Sequence, residues 1–270
     1  MSDLLERMAG RFNGGISVLC LGPPGTGKSK LLGSAAEHGK AVLLSLRANE
    51  PNSWAYTREG LDLSFNPATD LFVDNKWQPD LDLFEATAAM RFVQRLYELQ
   101  EDTEYDIVLI DPLTDLSVIC ANLIVAKQKV AAISDLDDSR GAYGRMRDMQ
   151  RRITKLITSL QYAAKPKHVL VACHVQPAKE DERGNREVTF SGEVLAALDG
   201  SYREHIAGEF QLVLHSRIVM EGESYKDKKA SYQVEVASNV KRHNKIALAP
   251  ALEGMLDNDF GVVMEAVLDA

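Results

Sequence analysis

Four short apolar runs punctuate the chain, and their pattern predicts the buried strands of an α/β fold. The runs are residues 16–21, 41–46, 105–111 and 168–174. The first run, ISVLCL, is wholly apolar, which is typical of a central strand that is covered on both faces. A helix-forming segment that stops near Gly39 separates the first two runs. The resulting strand–helix–strand unit predicts a parallel sheet with right-handed crossovers.

Other stretches predict amphipathic helices and a second group of strands. Two of them place their apolar residues on one helical face and predict helices at 82–100 and 145–162. A third stretch, at about 114–133, predicts an apolar helix. Two later stretches flank the charged turn GESYKDKK and predict a pair of strands at 209–221 and 230–240.

Two segments lack a clear period and are interpreted as loops. Residues 47–81 contain prolines and several aromatics, which indicates an inserted lid or loop segment. Residues 134–144 read as an acidic, glycine-flanked loop. We therefore predict one α/β domain over residues 1–249, with a mainly parallel central sheet and a β-rich C-terminal edge. Residues 250–270 are expected to form a tail.

The composition is that of an ordinary globular protein, since 45% of the 270 residues are hydrophobic and 26% are charged. This balance excludes disordered, collagen-like and disulfide-scaffold proteins. Cys20, Cys120 and Cys173 are far apart, which predicts buried reduced thiols. The N-terminus lacks a signal-peptide pattern and no run approaches 18 apolar residues, so we expect a cytoplasmic protein without a membrane span.

The most specific motif lies between the first predicted strand and the first predicted helix. Residues 22–29 read GPPGTGKS and match the P-loop pattern in full. Glycines let such a loop curl so that its backbone N–H groups point at phosphate oxygens, and the helix N-terminus adds partial positive charge. Lys28 is expected to reach the β- and γ-phosphates, and the Ser29 hydroxyl to ligate Mg²⁺. The predicted nucleotide contacts are Gly22, Pro23, Pro24, Gly25, Thr26, Gly27, Lys28, Ser29 and Lys30.

An acid at the end of the third apolar run is the second candidate for the metal site. Asp111 ends the run IVLID. P-loop nucleotidases place such a carboxylate at a strand end, where it holds Mg²⁺ together with the P-loop hydroxyl. We therefore expect Asp111 in the strand next to the P-loop strand. Ser29 and Asp111 are the predicted metal-site residues, and ATP and Mg²⁺ are the predicted cofactors.

Basic residues are concentrated in one part of an acidic protein. The chain carries a formal charge of −8, yet residues 140–167 hold eight basic residues against Asp148 alone. Charged helix faces normally mix signs, so this stretch indicates nucleic-acid contact; a subunit interface or a solvated face are the alternatives. The predicted DNA-binding residues are Arg140, Arg145, Arg147, Arg151, Arg152 and Lys155.

The chain resembles a known family, the phage-encoded RecA-like P-loop ATPases, some of which are single-strand annealing recombination proteins. The resemblance rests on GPPGTGKS (22–29), YDIVLIDPLTDL (105–116), YGRMRDMQRRITKLI (143–157), HVLVACHVQP (168–177) and the stretch from SGEV to HSRI (191–218). The spelling GPPGTGK is also common among AAA+ ATPases. Those proteins usually carry Asp-Glu where this chain has Asp111-Pro112, and they append a helical lid. RecA-like ATPases therefore fit better.

The resemblance implies roles for residues outside the P-loop. RecA-like proteins often hold a polar γ-phosphate sensor where His174 follows the fourth run; a structural histidine is the alternative. Their water-orienting glutamate follows the second strand, where the nearest candidate is Glu50. Without it, the chain would be a slow hydrolase or a nucleotide-gated binder. Lys241 and Arg242 lie where RecA-like filaments supply cations to a neighbouring subunit, and an exposed turn is the alternative.

Together these observations predict an ATP-hydrolysing RecA-like recombination protein of phage type that acts on single-stranded DNA as a homo-oligomer. The alternative is a nucleotide-switched assembly or protein-binding ATPase without a direct role on DNA. DNA-stimulated hydrolysis would favour the first interpretation. Nucleotide-dependent oligomerisation without DNA affinity would favour the second.

Overall fold

The computed structural model describes residues 3–12, 14–46, 61–65, 81–130, 132–177, 194–198, 201–221, 229–236, 245–246, 252 and 254–270. Its helices are α1 (Asp3–Phe12), α2 (Lys28–Ser34), α3 (Leu81–Glu101), α4 (Leu116–Gln128), α5 (Ser139–Ser159) and α6 (Phe260–Asp269). Its strands are β1 (Ser17–Leu21), β2 (Ala41–Ser45), β3 (Leu61–Phe65), β4 (Ile107–Asp111), β5 (His168–Cys173), β6 (Val175–Pro177), β7 (Val194–Ala196), β8 (Leu212–Glu221), β9 (Lys229–Glu235), β10 (Lys245–Ile246) and β11 (Met255–Asp257).

One large sheet forms the centre of the molecule, in the order β11-β9-β8-β1-β5-β4-β2-β3, with β10 paired to β8. The six strands from β8 to β3 run parallel, whereas β9, β10 and β11 add antiparallel pairs at the C-terminal edge. Strands β6 and β7 form a separate antiparallel ribbon. The α/β class, the mainly parallel sheet and the β-rich edge that the sequence predicts are therefore confirmed.

The apolar runs form central strands because helices cover both faces of the sheet. Successive residues of β1 alternate between two cores: Leu19 and Leu21 pack on one side, and Val18 and Cys20 on the other. The first core includes residues of α3, α4 and α5, and the second includes residues of α1, α2 and α6. A strand that is buried on both faces is apolar at most positions, and the polar residues of these strands, such as Ser17 and Asp111, lie at strand ends.

The sheet extends into the segment that was predicted to be irregular, 47–81. Residues Leu61–Phe65 form β3, which pairs in parallel with β2 at the sheet edge. Only this strand and the first residue of α3 fall within the described part of the segment. The five residues of β3 read LDLSF, and an alternation of apolar and polar residues this short does not distinguish a strand from a loop.

The predicted loop at 134–144 is wrong over its second half, because α5 already begins at Ser139. The Asp138 side chain accepts a hydrogen bond from the Gly141 backbone N–H at 2.8 Å and so caps the helix. Aspartate is a favoured N-cap because its carboxylate satisfies a donor that has no partner within the helix. This cap lets the helix continue through the two glycines that favoured a loop.

The prediction of a tail at 250–270 is also wrong. Within these residues the chain forms β11 and then α6, whose apolar side packs on α1 and α2. Phe260, Val263, Met264 and Val267 are buried in the second core. Burial of four large side chains contributes several kcal/mol, on the order of 1.5–3 kcal/mol for each, so this segment belongs to the domain.

One stretch, Leu113–Asp135, is apolar enough by length and composition to cross a membrane, which the sequence did not lead us to expect. A core helix of a globular domain passes the same test. Helix α4 occupies most of this stretch and packs against both α3 and α5. Ile119, Cys120, Ile124 and Val125 face the first core. Packing within the domain therefore accounts for its apolar sequence.

The cap of α5 yields a stability prediction. Asp138→Ala removes the acceptor for the Gly141 N–H, and we expect the free energy of unfolding to fall by about 1 kcal/mol. Urea denaturation followed by circular dichroism measures this change. Asp137→Ala, a neighbouring exposed carboxylate, is the matched control and should be close to neutral. Equal losses in both variants would contradict the capping role.

Candidate nucleotide-binding site

The P-loop connects the end of β1 to the start of α2, at the carboxyl edge of the parallel strands. Gly22 N–H donates to the Cys173 carbonyl at 3.3 Å, which fixes the start of the loop beside β5. Gly25 and Gly27 adopt left-handed backbone angles, with φ of 78° and 89°. Side chains other than glycine rarely adopt these angles, so the glycines permit the curl that a phosphate cradle needs.

Lys28 folds back over the loop from the first position of α2. Its ammonium donates to the carbonyls of Gly22 at 2.9 Å and of Pro23 at 2.8 Å, and only 5% of the residue is exposed. A buried ammonium is costly unless hydrogen bonds compensate it, and these carbonyls do so. The positive charge is therefore held at the loop, where a phosphate group would meet it.

The two predicted metal-site residues are in direct contact. The Ser29 hydroxyl donates to Oδ2 of Asp111 at 2.6 Å, and Asp111 is 2% exposed at the end of β4. The sequence placed Asp111 in the strand next to β1, and this is wrong. Strand β5 lies between them, because it pairs with both β1 and β4. Helix α2 packs against β5, and its first turn brings Ser29 to Asp111.

This pair of oxygen atoms suits a small hard cation. Mg²⁺ prefers oxygen ligands and is usually held by one or two protein groups together with substrate phosphates. Within the described residues, no three His, Cys, Asp or Glu side chains form a cluster that could hold a metal alone. The pair therefore fits a metal that is shared between protein and nucleotide.

His174 lies directly after β5, beside the start of the P-loop. Its backbone N–H donates to the Thr114 hydroxyl at 2.9 Å, and its carbonyl accepts from the Ala197 N–H at 2.7 Å. These bonds tie the end of β5 to the turn after β4 and to the end of β7. The position at the loop agrees with the predicted location, and the sensor role of His174 stays a prediction.

Two residues that the sequence analysis missed hold the far side of the loop. The Ser216 hydroxyl of β8 donates to the Thr26 carbonyl, and the Asn258 amide donates to the Gly27 carbonyl at 2.6 Å. A Cβ on Gly27 would lie 2.6 Å from the Asn258 Nδ2 atom and 3.0 Å from the Tyr232 ring. Glycine is thus required at position 27 by both its backbone angle and this close contact.

The cysteines are buried and free, as the sequence predicts. Burial raises the pKa of the Cys20 thiol to about 12 and that of Cys173 to about 11. Both lie in the strands that carry the phosphate site. At neutral pH they are protonated, so neither adds negative charge near the loop.

Other predicted site residues fall elsewhere. Glu50, Lys241 and Arg242 lie outside the described residues. The predicted DNA-binding residues Arg140, Arg145, Arg147, Arg151, Arg152 and Lys155 are all on α5 and all exposed. Lys165 and Lys167, which added to the basic stretch, instead pair with Asp106 at 2.7 Å and Asp102 at 3.7 Å.

A family comparison agrees with the geometry of the loop. A family model described as an AAA domain matches residues 14–245, which is most of the chain. The chain belongs to this AAA-domain family. It is therefore a P-loop ATPase, and the predicted α/β core with a mainly parallel sheet is confirmed. The match is to an AAA domain, the class that the sequence analysis ranked below the RecA-like ATPases, so the RecA-like assignment stays a prediction. The phage origin implied by the resemblance stays a prediction.

Comparison with solved structures finds distant similarities. The flagellar accessory protein FlaH from Methanocaldococcus jannaschii is 14% identical with a TM-score of 0.42, over 94% of this chain and 93% of that protein. An ATPase from the type III secretion system of pathogenic bacteria is 12% identical with a TM-score of 0.36, over 75% of this chain and 51% of that protein. No curated protein sequence matches the chain.

The position of the Lys28 ammonium yields a prediction for nucleotide affinity. Lys28→Ala removes a buried charge at the phosphate loop, and we expect the Kd for ATP to rise about 10- to 100-fold. Calorimetric titration with ATP measures this change. Lys127→Ala, which removes an exposed lysine near the end of α4, is the control. Unchanged affinity and turnover in a folded Lys28→Ala variant would contradict the assignment of the loop.

The Ser29–Asp111 contact yields a prediction for metal dependence. Asp111→Asn leaves an amide that is a poor ligand for Mg²⁺, so we expect the Mg²⁺ concentration for half-maximal hydrolysis to rise at least about tenfold. Ser29→Ala should shift it in the same direction, and Asp137→Asn should not. A Mg²⁺ titration of ATP hydrolysis gives these midpoints. If Asp111→Asn and Ser29→Ala both reach half-maximal hydrolysis at the wild-type Mg²⁺ concentration, the metal binds at other residues.

Proposed function

We propose that the chain is a Mg²⁺-dependent ATPase that acts on single-stranded DNA as a homo-oligomer, in a recombination role of the phage type. The observation that carries the DNA part of this proposal is a basic groove on α5. The AAA-domain family and the phosphate loop support the ATPase part.

At the phosphate site, Lys28 holds its charge toward the β- and γ-phosphates, and the loop N–H groups bind their oxygens. Ser29 and Asp111 would hold Mg²⁺, which supplies charge neutralisation to the phosphates when it is bound. Their mutual hydrogen bond keeps both oxygens together before the metal arrives. Glu50 remains the candidate that orients the attacking water.

The cations of α5 fall on two lines. Arg147, Arg151 and Lys155 recur every four residues and lie on one line, whereas Arg145 and Arg152 are seven apart and lie on another. The first line and His205 contribute to a groove of about 470 Å³ between α5 and the turns at 201–209. Three cations in one groove, at helical spacing, suit the regular charges of a phosphate backbone.

Two carboxylates partly neutralise this groove. Arg147 pairs with Asp148 at 3.5 Å, and Arg151 pairs with Glu209 at 3.6 Å. Ion pairs at exposed side chains such as these are worth about 1 kcal/mol or less. A phosphate backbone can therefore replace them at little cost, and the exchange releases counterions from the nucleic acid.

The groove is structurally connected to the ATP site. His174, beside the P-loop, binds Ala197 at the end of the β6–β7 ribbon. The chain then continues into the 201–209 turns, which pack on α5 and line the groove. A shift of His174 on loss of the γ-phosphate would be transmitted along this segment. We propose that this is how hydrolysis and DNA binding are coupled.

The second candidate is an ATPase whose nucleotide state controls assembly or a protein partner. Lys241 and Arg242 would then act across the interface between subunits, where a cation can stabilise the charge of phosphoryl transfer. Sedimentation with ATP and with ADP, with and without single-stranded DNA, separates the two candidates. Assembly that depends on nucleotide alone, without DNA affinity, would support this second function.

The groove yields a prediction for DNA binding. Replacing Arg147 and Arg151 with Ala should weaken binding to single-stranded oligonucleotides of any sequence. It should also lower the slope of log affinity against log salt concentration by about 1.4, because two phosphate contacts are lost. Fluorescence anisotropy of a labelled oligonucleotide over a salt series measures the slope. DNA stimulation of ATP hydrolysis should fall with it.

The matched control is the replacement of Arg145 and Arg152, which removes the same charge from the other line of the same helix. We expect a smaller change of slope in this variant. If both double variants lower the slope of log affinity against log salt concentration equally, DNA affinity depends on the total charge of α5 and not on the groove. A wild-type slope in the Arg147/Arg151 variant would show that DNA does not bind in this groove.

A further inference from the structure

A second groove adjoins the phosphate loop on the side away from the metal pair. It has a volume of about 510 Å³ and lies between the start of α2, strand β9 and the junction of β11 with α6. Its lining includes Lys30, Tyr232, Asp257 and Asn258. None of these except Lys30 was predicted to contact nucleotide.

The sheet order gives the direction of a bound triphosphate. Asp111 and Ser29 mark the metal end of the site, and β4 lies two strands from β1 on one side. Tyr232 is on β9, which lies two strands from β1 on the other side. Ser29 and Asp111 would hold a Mg²⁺ ion that neutralises the terminal phosphates, so these phosphates would lie toward β4. The rest of the nucleotide must then leave the P-loop toward β9.

The groove begins where the nucleotide would leave the loop. Lys30, the residue after the metal-ligating Ser29, lies in the first turn of α2 and lines it. The Tyr232 ring is 3.0 Å from the position that a Cβ on Gly27 would occupy, so it borders the P-loop directly. Tyr232 as a residue is 39% exposed, so it is open to a ligand at the groove.

Asn258 links this groove to the loop and carries an unused acceptor. Its Nδ2 donates to the Gly27 carbonyl, and its backbone N–H donates to the Tyr232 carbonyl at 3.2 Å. The residue is 1% exposed, and its Oδ1 has no hydrogen-bond partner within the described part of the chain. A buried hydrogen-bond acceptor without a partner lowers the stability of the fold. A bound ligand that donates a hydrogen bond to Asn258 Oδ1 would remove this penalty.

We propose that this groove binds the nucleoside part of the nucleotide. The base lies against the Tyr232 ring, and the ribose hydroxyls donate to the Asp257 carboxylate or to Asn258 Oδ1. Lys30 and Lys229 offset the charge of Asp257 and Asp259 at the rim. The inference rests on the ATP binding of the proposed function and is independent of its DNA part.

Photo-crosslinking with 8-azido-ATP tests the location of the base directly. The azide is on the base, so light attaches the probe to residues beside it, and mass spectrometry of the digested protein identifies them. We expect modified peptides that contain Tyr232 or residues 255–262, and excess ATP should prevent the modification. Attachment that maps only to other parts of the chain would overturn the proposal.

Affinity measurements with two ligands separate base contact from support of the loop. ATP and inorganic tripolyphosphate, both with Mg²⁺, share the phosphates but only ATP has a base. We expect Tyr232→Ala to weaken ATP binding about tenfold, because aromatic stacking on a base is lost, and to leave tripolyphosphate binding unchanged. Tyr232→Phe should retain the affinity for ATP. Tyr97→Ala, an exposed tyrosine on α3, is the matched control.

The outcomes distinguish this inference from the proposed function. If Tyr232→Ala weakens the binding of ATP and of tripolyphosphate equally, the ring only supports Gly27. If Tyr232→Ala binds ATP with wild-type affinity, the base does not contact the ring. Either result overturns the proposal. Lys28→Ala should weaken both ligands, since it acts on the phosphates. If DNA does not stimulate hydrolysis but the crosslink maps to Tyr232, the DNA function fails and the nucleoside site stands.

Discussion

The hydrogen bond from Ser29 to Asp111 is the contact on which the site depends. It joins the first turn of α2 to the end of β4 across the intervening strand β5. A carboxylate that is 2% exposed has lost its contact with water, and the hydrogen bond from the Ser29 hydroxyl replaces part of that contact. The two oxygen atoms of the predicted metal site meet because β5 lies between β1 and β4 and α2 crosses over β5. The sheet order therefore determines the geometry of the metal site.

The same loop needs support on its other side. Carbonyls that are shielded from water need hydrogen-bond donors. The buried Thr26 carbonyl accepts from Ser216, and the partly buried Gly27 carbonyl accepts from Asn258. The ammonium of Lys28, at the start of α2, donates hydrogen bonds to the carbonyls of Gly22 and Pro23. The P-loop is thus held in its curled form by protein contacts, so its N–H groups are arranged before a phosphate binds. Such preorganisation lowers the entropy cost of binding.

Local patterns were sufficient to predict much of this molecule. The central strands were predicted to within two residues at each end, because strands covered on both faces are apolar at most positions. GPPGTGKS is recognised from eight consecutive residues, and Asp111 was found because P-loop nucleotidases place a carboxylate at the end of an apolar strand. The sequence did not show that β5 lies between β1 and β4, since neighbouring strands of a sheet need not be consecutive in the chain.

The remaining errors have similar physical causes. Two glycines near Ser139 favoured a loop, but the Asp138 cap stabilised a helix there. Ser216 and Asn258 are common polar residues without a local motif, and they reach the P-loop over 190 and 231 residues of sequence. Contacts of that kind become visible only when the fold brings the elements together.

The contact between Asn258 and Gly27 also sets an order of events during synthesis. Asn258 follows Gly27 by 231 residues, so at roughly 5–20 residues per second the ribosome adds it on the order of tens of seconds later. Until it emerges, the Gly27 carbonyl lacks its donor and α2 lacks the packing of α6. The nascent P-loop is therefore exposed and incompletely supported, and the nucleotide site matures only after nearly all of the described domain has left the ribosome.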